Sequence, residues 1–171
     1  MVLVTMLCRL LVLEVRGAIM RITVAAIGKI KNGPEKSLID EYCKRLPWSV
    51  SFRELEAKKG VTGAKLQELE GELLLNAIPS GSKVIVLDER GKHYSSSRFS
   101  KVFSDWQQDG YSDVSFLIGG ADGHGNDVRN RADILLSLGG MTWPHMLARA
   151  MLSEQLYRAW TITAGHPYHR Q

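Results

Sequence analysis

The sequence predicts a single α/β domain in which a mostly parallel sheet carries helices on both faces. Its 171 residues are enough for one domain with a substantial core and too few for two. Apolar residues make up 44% of the chain and charged residues 23%, as in ordinary globular proteins. Short β-branched stretches alternate with stretches of helical periodicity along the chain, which is typical of a parallel sheet with crossover helices.

The first half of the chain contains two predicted strands and two predicted helices. Residues 21–27 are rich in β-branched side chains and predict a buried strand. Pro34 begins a helix, because proline is well tolerated in a first helical turn. Alternating apolar residues predict a half-buried strand over residues 48–55. Thr62 then caps a helix with leucines on one face, although Gly71 inside it weakens the helix.

The second half repeats this order and ends in a long helix. Residues 83–87 and 114–118 are short and apolar, and they predict central strands. Between them, serines at 95–97 can cap a helix with apolar residues at helical spacing. Residues 133–138 predict a further strand, and a nearly all-apolar helix follows over residues 146–160.

The net charge and the cysteine content indicate which partners and which cellular compartment to expect. The net charge of +4 and the pI of about 9.1 are compatible with a nucleic acid or phosphate partner. Cys8 and Cys43 have no paired spacing, so neither a disulfide framework nor a zinc site is expected. We therefore expect a cytoplasmic protein without a bound metal.

Residues 1–19 are interpreted as an N-terminal extension, with the domain itself at residues 20–171. The extension lacks the basic start of a signal peptide, and Arg9 interrupts a stretch that is too short to span a membrane. Met20 directly precedes the first strand. The alternative is an extra strand or helix that packs on the domain.

Three predicted strands end in loops of similar character. Leu87 leads into a charged loop, residues 119–125 are rich in glycine, and Gly139 and Gly140 follow the last strand. In a parallel sheet these strand ends lie at one edge, where open α/β sheets bind ligands. The glycines match neither a P-loop nor the dinucleotide-binding spacing. Free backbone groups and apolar walls instead suit a flat heterocycle such as adenine.

Several motifs in and around these loops resemble one known family. They are Val86-Leu87-Asp88-x-x-Gly91-Lys92, Phe116-Leu117-Ile118-Gly119-Gly120-x-x-Gly123, Thr142-x-Pro144-His145-x-x-x-Arg149, residues 153–160 and His166-Pro167-Tyr168-His169. From Met20 to the C-terminus the chain resembles the ribosomal RNA large subunit methyltransferase H family of the SPOUT class.

The resemblance implies a fold with a C-terminal trefoil knot, which no general rule of chain topology would suggest. It implies a homodimer that binds S-adenosylmethionine in the knot and methylates N3 of a pseudouridine in a stem-loop of 23S rRNA in the ribosome. It also implies a set of cofactor contacts: Leu87, Gly119, Leu138, Gly139, Gly140, Met141, Thr142 and Trp143. Gly139-Gly140 stands where relatives carry Ser-Ala, and Trp143 where leucine is usual.

The candidate catalytic residues are Arg149, Glu154, Arg158 and His169. The imide N–H of a uracil-like base must lose its proton, or its developing charge must be stabilised. Arginine can stabilise that charge, and Glu154 or His169 can take the proton. Glu154 and Arg158 are four residues apart and can instead form a structural salt bridge. For Arg149 the alternative is an ion pair at a dimer interface.

The end of the chain is expected to meet RNA. We expect no packing role for Tyr168, His169 and Arg170, whereas His166 before a proline is expected to fix a turn. The apolar helix before them predicts burial at a subunit interface, so that one site would combine residues of two chains.

Two other functions stay open from the residues themselves. One is a non-catalytic module that binds ribosomal RNA through basic loops, namely Lys29, Lys31, Lys58 and Lys59 with the basic tail. The other is a SPOUT enzyme that acts on another RNA, such as tRNA.

Overall fold

The computed structural model describes residues 19–169, so the predicted extension lies outside the described residues apart from Ile19. These residues form five strands and five helices, followed by a short 3-10 turn at Pro167–His169. In chain order the elements are β1 Arg21–Ile27, α1 Pro34–Arg45, β2 Ser49–Leu55, α2 Gly63–Asn76, β3 Lys83–His93, α3 Ser96–Gln108, β4 Asp113–Ile118, α4 Asn126–Arg131, β5 Ile134–Ser137 and α5 His145–Thr163.

The strands form one parallel sheet in the order β2-β1-β4-β3-β5. The central strands β1 and β4 are buried over most of their length, as their continuous apolar runs predict. Both faces of the sheet are covered. An aromatic cluster that includes Phe99, Phe103 and Phe116 fills one face, and a smaller cluster around Leu74 and Val128 fills the other. The predicted α/β class with a parallel sheet and helices on both faces is confirmed, and the trefoil knot stays a prediction.

Strand β3 is longer than the predicted 83–87, and β5 is shorter than the predicted 133–138. Their pairing shifts register between Leu87 and Lys92, and both of these residues pair with Leu136. A β-carbon on Gly91 would lie 2.5 Å from the backbone carbonyl carbon of Leu136, so the two strands can meet there only because residue 91 is glycine. Asp133 lies outside β5 and accepts a hydrogen bond from the Val84 amide at 2.7 Å.

Helix α4 was not predicted, because only one of its six residues is a large apolar residue. That residue, Val128, is fully buried against α2, where a β-carbon on Gly71 would lie 3.1 Å from its methyl group. Gly71 therefore allows the close approach of two helices, which outweighs its weak helix propensity.

Helix α5 extends beyond the predicted 146–160 at both ends and packs against α1 and α3. Much of its apolar surface is thus covered within one chain. Its apolar character alone therefore gives less support to a subunit interface than the sequence suggested. Within residues 19–169, no helix combines the length and the apolar character needed to cross a membrane.

Candidate active site

The ends of β4 and β5 lie on either side of β3. Leu87 pairs with Ile118 of β4 on one side and with Leu136 of β5 on the other. Strand β3 continues past Leu87 to His93, so the predicted charged loop after Leu87 is part of a strand. The loops after β4 and β5 start on either side of this strand, so the predicted convergence holds for these two loops and is wrong for the third.

A cavity of about 330 Å³ opens beside the end of β5. Its lining combines apolar residues with a few polar groups: His93, Tyr94, Ser96, Phe99, Leu136, Ser137, Leu138, Gly139, Met151, Leu152 and Gln155. Gly139 has a φ of 128°, a conformation that residues with a side chain rarely adopt. At Gly139 and at Gly140, a β-carbon would meet no atom within 4 Å, so open space borders the backbone.

The structure brings only part of the predicted cofactor set to this cavity. Leu138 and Gly139 line it. Gly140, Met141, Thr142 and Trp143 are exposed in the single chain, Met141 by 74% and Trp143 by 38%. Leu87 packs against the main core, and Gly119 is buried under the ring of His124. Neither Leu87 nor Gly119 is among the residues that line the cavity.

His124 connects the glycine-rich loop after β4 to Leu87 of β3. Its side chain is buried, and Nε2 lies 3.1 Å from the Leu87 carbonyl oxygen. Burial lowers the pKa of His124 and outweighs the opposing effect of Asp88, so the ring is neutral at pH 7. His124 is not among the predicted site residues, although a histidine between glycines after a buried strand is a signal visible in the sequence.

Two further buried acids hold the same region. Asp88 accepts from the Arg90 amide at 2.9 Å and pairs with Arg129 at 2.7 Å. Burial opposes its ionisation, but these partners prevail and lower the pKa of Asp88. Glu70 of α2 is hydrogen-bonded to the Gly120 amide, and burial raises its pKa. Buried polar side chains therefore hold the glycine-rich loop in place on its protein-facing side.

Glu154 and Arg158 form the predicted pair on α5, with Arg158 Nε and Nη2 at 2.9 and 2.5 Å from Glu154 Oε1. The Tyr168 hydroxyl donates to the same oxygen at 3.1 Å, and the Gln155 amide donates to Oε2 at 2.7 Å. Gln155 also accepts from Ser96 Oγ at 2.8 Å, so the cluster adjoins the wall of the cavity.

Arg149 points into the protein. It is 1% exposed, and its Nη2 donates to the carbonyl oxygens of Ile27 and Gly28 at 2.8 Å each. Burial lowers the pKa of its guanidinium group. Within residues 19–169 it forms no ion pair, so in the single chain it ties α5 to the end of β1.

The histidines of the C-terminal motifs lie at the two ends of α5. His145 is exposed at its start. His166 Nδ1 accepts from the Tyr168 amide at 3.2 Å, as expected of a residue that fixes a turn. His169 is half-buried, and its Nδ1 has no hydrogen-bond partner within residues 19–169. Arg170 lies outside the described residues.

Comparison with known proteins places this arrangement in a family. The sequence model described as "Predicted SPOUT methyltransferase" matches residues 20–169. A protein of Paramagnetospirillum magneticum is 54% identical over 151 residues, which are 88% of this chain and 99% of that protein. One of Rhodospirillum centenum is 50% identical with the same coverage. Both are named "Ribosomal RNA large subunit methyltransferase H".

The chain belongs to the ribosomal RNA large subunit methyltransferase H family. The predicted resemblance is confirmed, and with it the class of enzyme and S-adenosylmethionine as cofactor. A solved SpoU methyltransferase of Streptomyces viridochromogenes, in complex with that cofactor, overlays on 86% of this chain and 61% of its own. Its identity of 10% and TM-score of 0.45 add nothing to the assignment.

The residues present fit the cofactor of this methyltransferase family. The cavity lies within the range of roughly 300–1,000 Å³ typical of small-molecule sites. Apolar side chains can hold a heterocycle, and the open backbone at Gly139 and Gly140 leaves room for a ligand to approach. Within residues 19–169, no group of three or more histidine, cysteine or acidic residues could hold a metal ion.

Proposed function

We propose that this protein transfers a methyl group from S-adenosylmethionine to N3 of a pseudouridine in a 23S rRNA stem-loop of the ribosome. The proposal depends on one observation: helix α5 lines the cavity and also contacts the C-terminal segment. Its residues Met151, Leu152 and Gln155 line the cavity, and Glu154 and Arg158 beside them hold the C-terminal segment. A cytoplasmic location follows from a ribosomal substrate.

Leu138 and Gly139 would hold the cofactor through their backbone groups, with Leu152 as an apolar wall. Exposed Gly140, Met141, Thr142 and Trp143 would close over it once a second chain covers them. Bound S-adenosylmethionine supplies an electrophilic methyl group, so the protein must align the base and remove a proton from it.

His169 is the residue we assign to proton transfer. Both carboxylate oxygens of Glu154 already accept hydrogen bonds, whereas Nδ1 of His169 is buried in the single chain and has no partner within residues 19–169. The imidazole would therefore have to turn toward the RNA to take the proton. Arg158 would stabilise the charge that develops on the base. Glu154 would then hold Arg158 in place, and Arg149 would hold α5 on the sheet.

RNA would approach along the edge of the sheet where the strands end. Tyr168, His169 and Arg170 form the C-terminal part of this surface. Lys29, Lys31, Lys58 and Lys59 follow β1 and β2 at the same edge, and all four are exposed. Phosphate contacts of this kind weaken as the salt concentration rises.

A homodimer is part of the proposal. Three large apolar side chains are exposed within seven residues next to the cavity, namely Met141, Trp143 and Leu147. An exposed apolar segment of this kind is typical of a protein interface. Burial of this segment by a partner chain would complete the cofactor site.

Calorimetry with S-adenosylmethionine tests the cofactor site. We expect saturable binding, and we expect Gly139→Ala to weaken it about tenfold because the φ of residue 139 must change. Gly110→Ala is the matched control. Gly110 also has a positive φ, 86°, but lies at the opposite edge of the sheet, so its cofactor affinity should be unchanged. Absence of binding to the unaltered protein would favour the non-catalytic RNA-binding module.

Transfer of a labelled methyl group tests the substrate. Assembled ribosomes that lack this methyl group should be labelled on one pseudouridine, as mapped by mass spectrometry of rRNA fragments. Free 23S rRNA and tRNA serve as competing substrates. Labelling of tRNA alone would show that the enzyme acts on another RNA.

A further inference from the structure

The ring of Tyr168 lies close to two guanidinium groups from different helices. The guanidinium carbon of Arg158 on α5 lies 5.0 Å from the ring centroid, and that of Arg45 on α1 lies 5.5 Å from it. The ring of Tyr157 meets Tyr168 edge-on with centroids 4.8 Å apart. Cations within about 6 Å of an aromatic centroid attract its π electrons.

The hydroxyl of Tyr168 is held as well. It donates to Glu154 Oε1 at 3.1 Å, and the Tyr42 hydroxyl of α1 lies 3.4 Å away. Burial and these two neighbours raise the pKa of Tyr168, so it stays protonated and keeps its role as a donor.

Arg45 is itself fixed by three contacts. Its Nη2 donates to the Tyr157 hydroxyl at 3.2 Å, and its guanidinium carbon lies 4.5 Å from the centre of the Tyr157 ring. Its Nη1 pairs with Glu41 at 3.2 Å. A long side chain with these partners is pre-organised, so it can orient Tyr168 at little further entropic cost.

These contacts act on a segment that would otherwise be mobile. The last residues of most chains fray unless something holds them. Tyr168 directly precedes His169, so an anchored ring restricts where the imidazole can lie relative to Glu154 and Arg158.

We propose that Arg45 and Tyr42 of α1 are positioning residues for methyl transfer, which act by holding Tyr168 and through it His169. This inference rests on the proposed function, in which the C-terminal segment meets the RNA. Helix α1 contributes no residue to the cavity lining. Substitutions in it should therefore change the position of the C-terminal segment and leave cofactor binding unchanged.

The test compares Arg45→Met with Lys44→Met, which removes the same charge from the adjacent, exposed position of α1. Hydrogen exchange of the Tyr168 and His169 amides should become about tenfold faster in Arg45→Met, as loss of a cation–π contact and a hydrogen bond implies. The kcat for ribosome methylation should fall about tenfold or more because His169 is misplaced. The affinity for S-adenosylmethionine should not change. Lys44→Met should match the unaltered protein in all three measurements.

Tyr42→Phe provides a second variant that removes one oxygen atom. Hydrogen exchange of the same amides should become faster by a smaller factor, and kcat should fall by less than in Arg45→Met. The inference would be overturned if Arg45→Met raised the KM for ribosomes but left hydrogen exchange of the Tyr168 and His169 amides unchanged. That result would mean that Arg45 binds RNA directly. If the unaltered protein methylates no RNA, the proposed function fails, whereas tail exchange still shows whether α1 anchors the segment.

Discussion

At the scale of single residues, buried polar side chains bind the backbone where strand pairing ends or shifts register. His124 pairs with the Leu87 carbonyl oxygen, Arg149 with the carbonyl oxygens after β1, and Asp88 with the Arg90 amide. Backbone groups leave the sheet at these points and need other partners. The loops around the cavity are therefore fixed by side chains and not only by strand pairing.

His124 makes the stability of the protein depend on pH. Its pKa is lowered by burial, so the unfolded chain binds a proton more readily than the folded one. The stability that the neutral ring contributes is complete above its unfolded pKa of about 6.5 and is lost as the pH falls through its folded pKa. We expect the free energy of unfolding from urea titration to decline below about pH 6.5.

His124→Gln is the control for this effect. Its amide can still donate to Leu87, but it does not titrate, so the decline should be smaller. The neighbouring Asp88 has a lowered pKa and titrates well below this range. Equal pH dependence in both proteins would show that another group is responsible.

At the scale of elements, glycines decide how closely secondary structures approach. Gly91 lets β3 pass the backbone of β5, and Gly71 lets α2 pack on α4. The sequence marked Gly71 only as a weak point of a helix. Its contact partner Val128 lies 57 positions further along the chain (128 − 71), so local periodicity could not identify the contact.

Gly71→Ala should destabilise the protein by about 1 kcal/mol, although alanine favours a helix over glycine by a similar amount. The added methyl group would lie 3.1 Å from a fully buried and stiff valine side chain. In a Val128→Ala background the same substitution should be neutral or stabilising. Urea denaturation of the four proteins measures this coupling, and additive effects would contradict it.

At the scale of the whole molecule, the exposed segment that leads into the first turn of α5 predicts how two chains associate. Leu147→Glu places a charge on this segment, where Leu147 is 37% exposed. We expect sedimentation at micromolar concentration to show a dimer for the unaltered protein and a monomer for the variant.

Tyr111→Glu provides a matched control for the dimer. Tyr111 is 39% exposed and lies before β4, at the opposite edge of the sheet. This variant should remain a dimer, and it should bind S-adenosylmethionine as the unaltered protein does. A monomeric unaltered protein would contradict the proposed composite site.

The sequence by itself determined the class of fold, the family and the edge of the sheet at which the candidate site lies. These follow from local patterns, since β-branched runs, helical periodicity and glycines after strands are each visible within a few residues. The tertiary structure alone decided which side chains face the site. Arg149 points inward to β1, the ring of Tyr168 lies between two arginines, and His124 joins the glycine-rich loop to β3. Apart from Arg158 with Tyr168, these contacts join residues far apart in sequence, and sequence spacing carries no information about such partners.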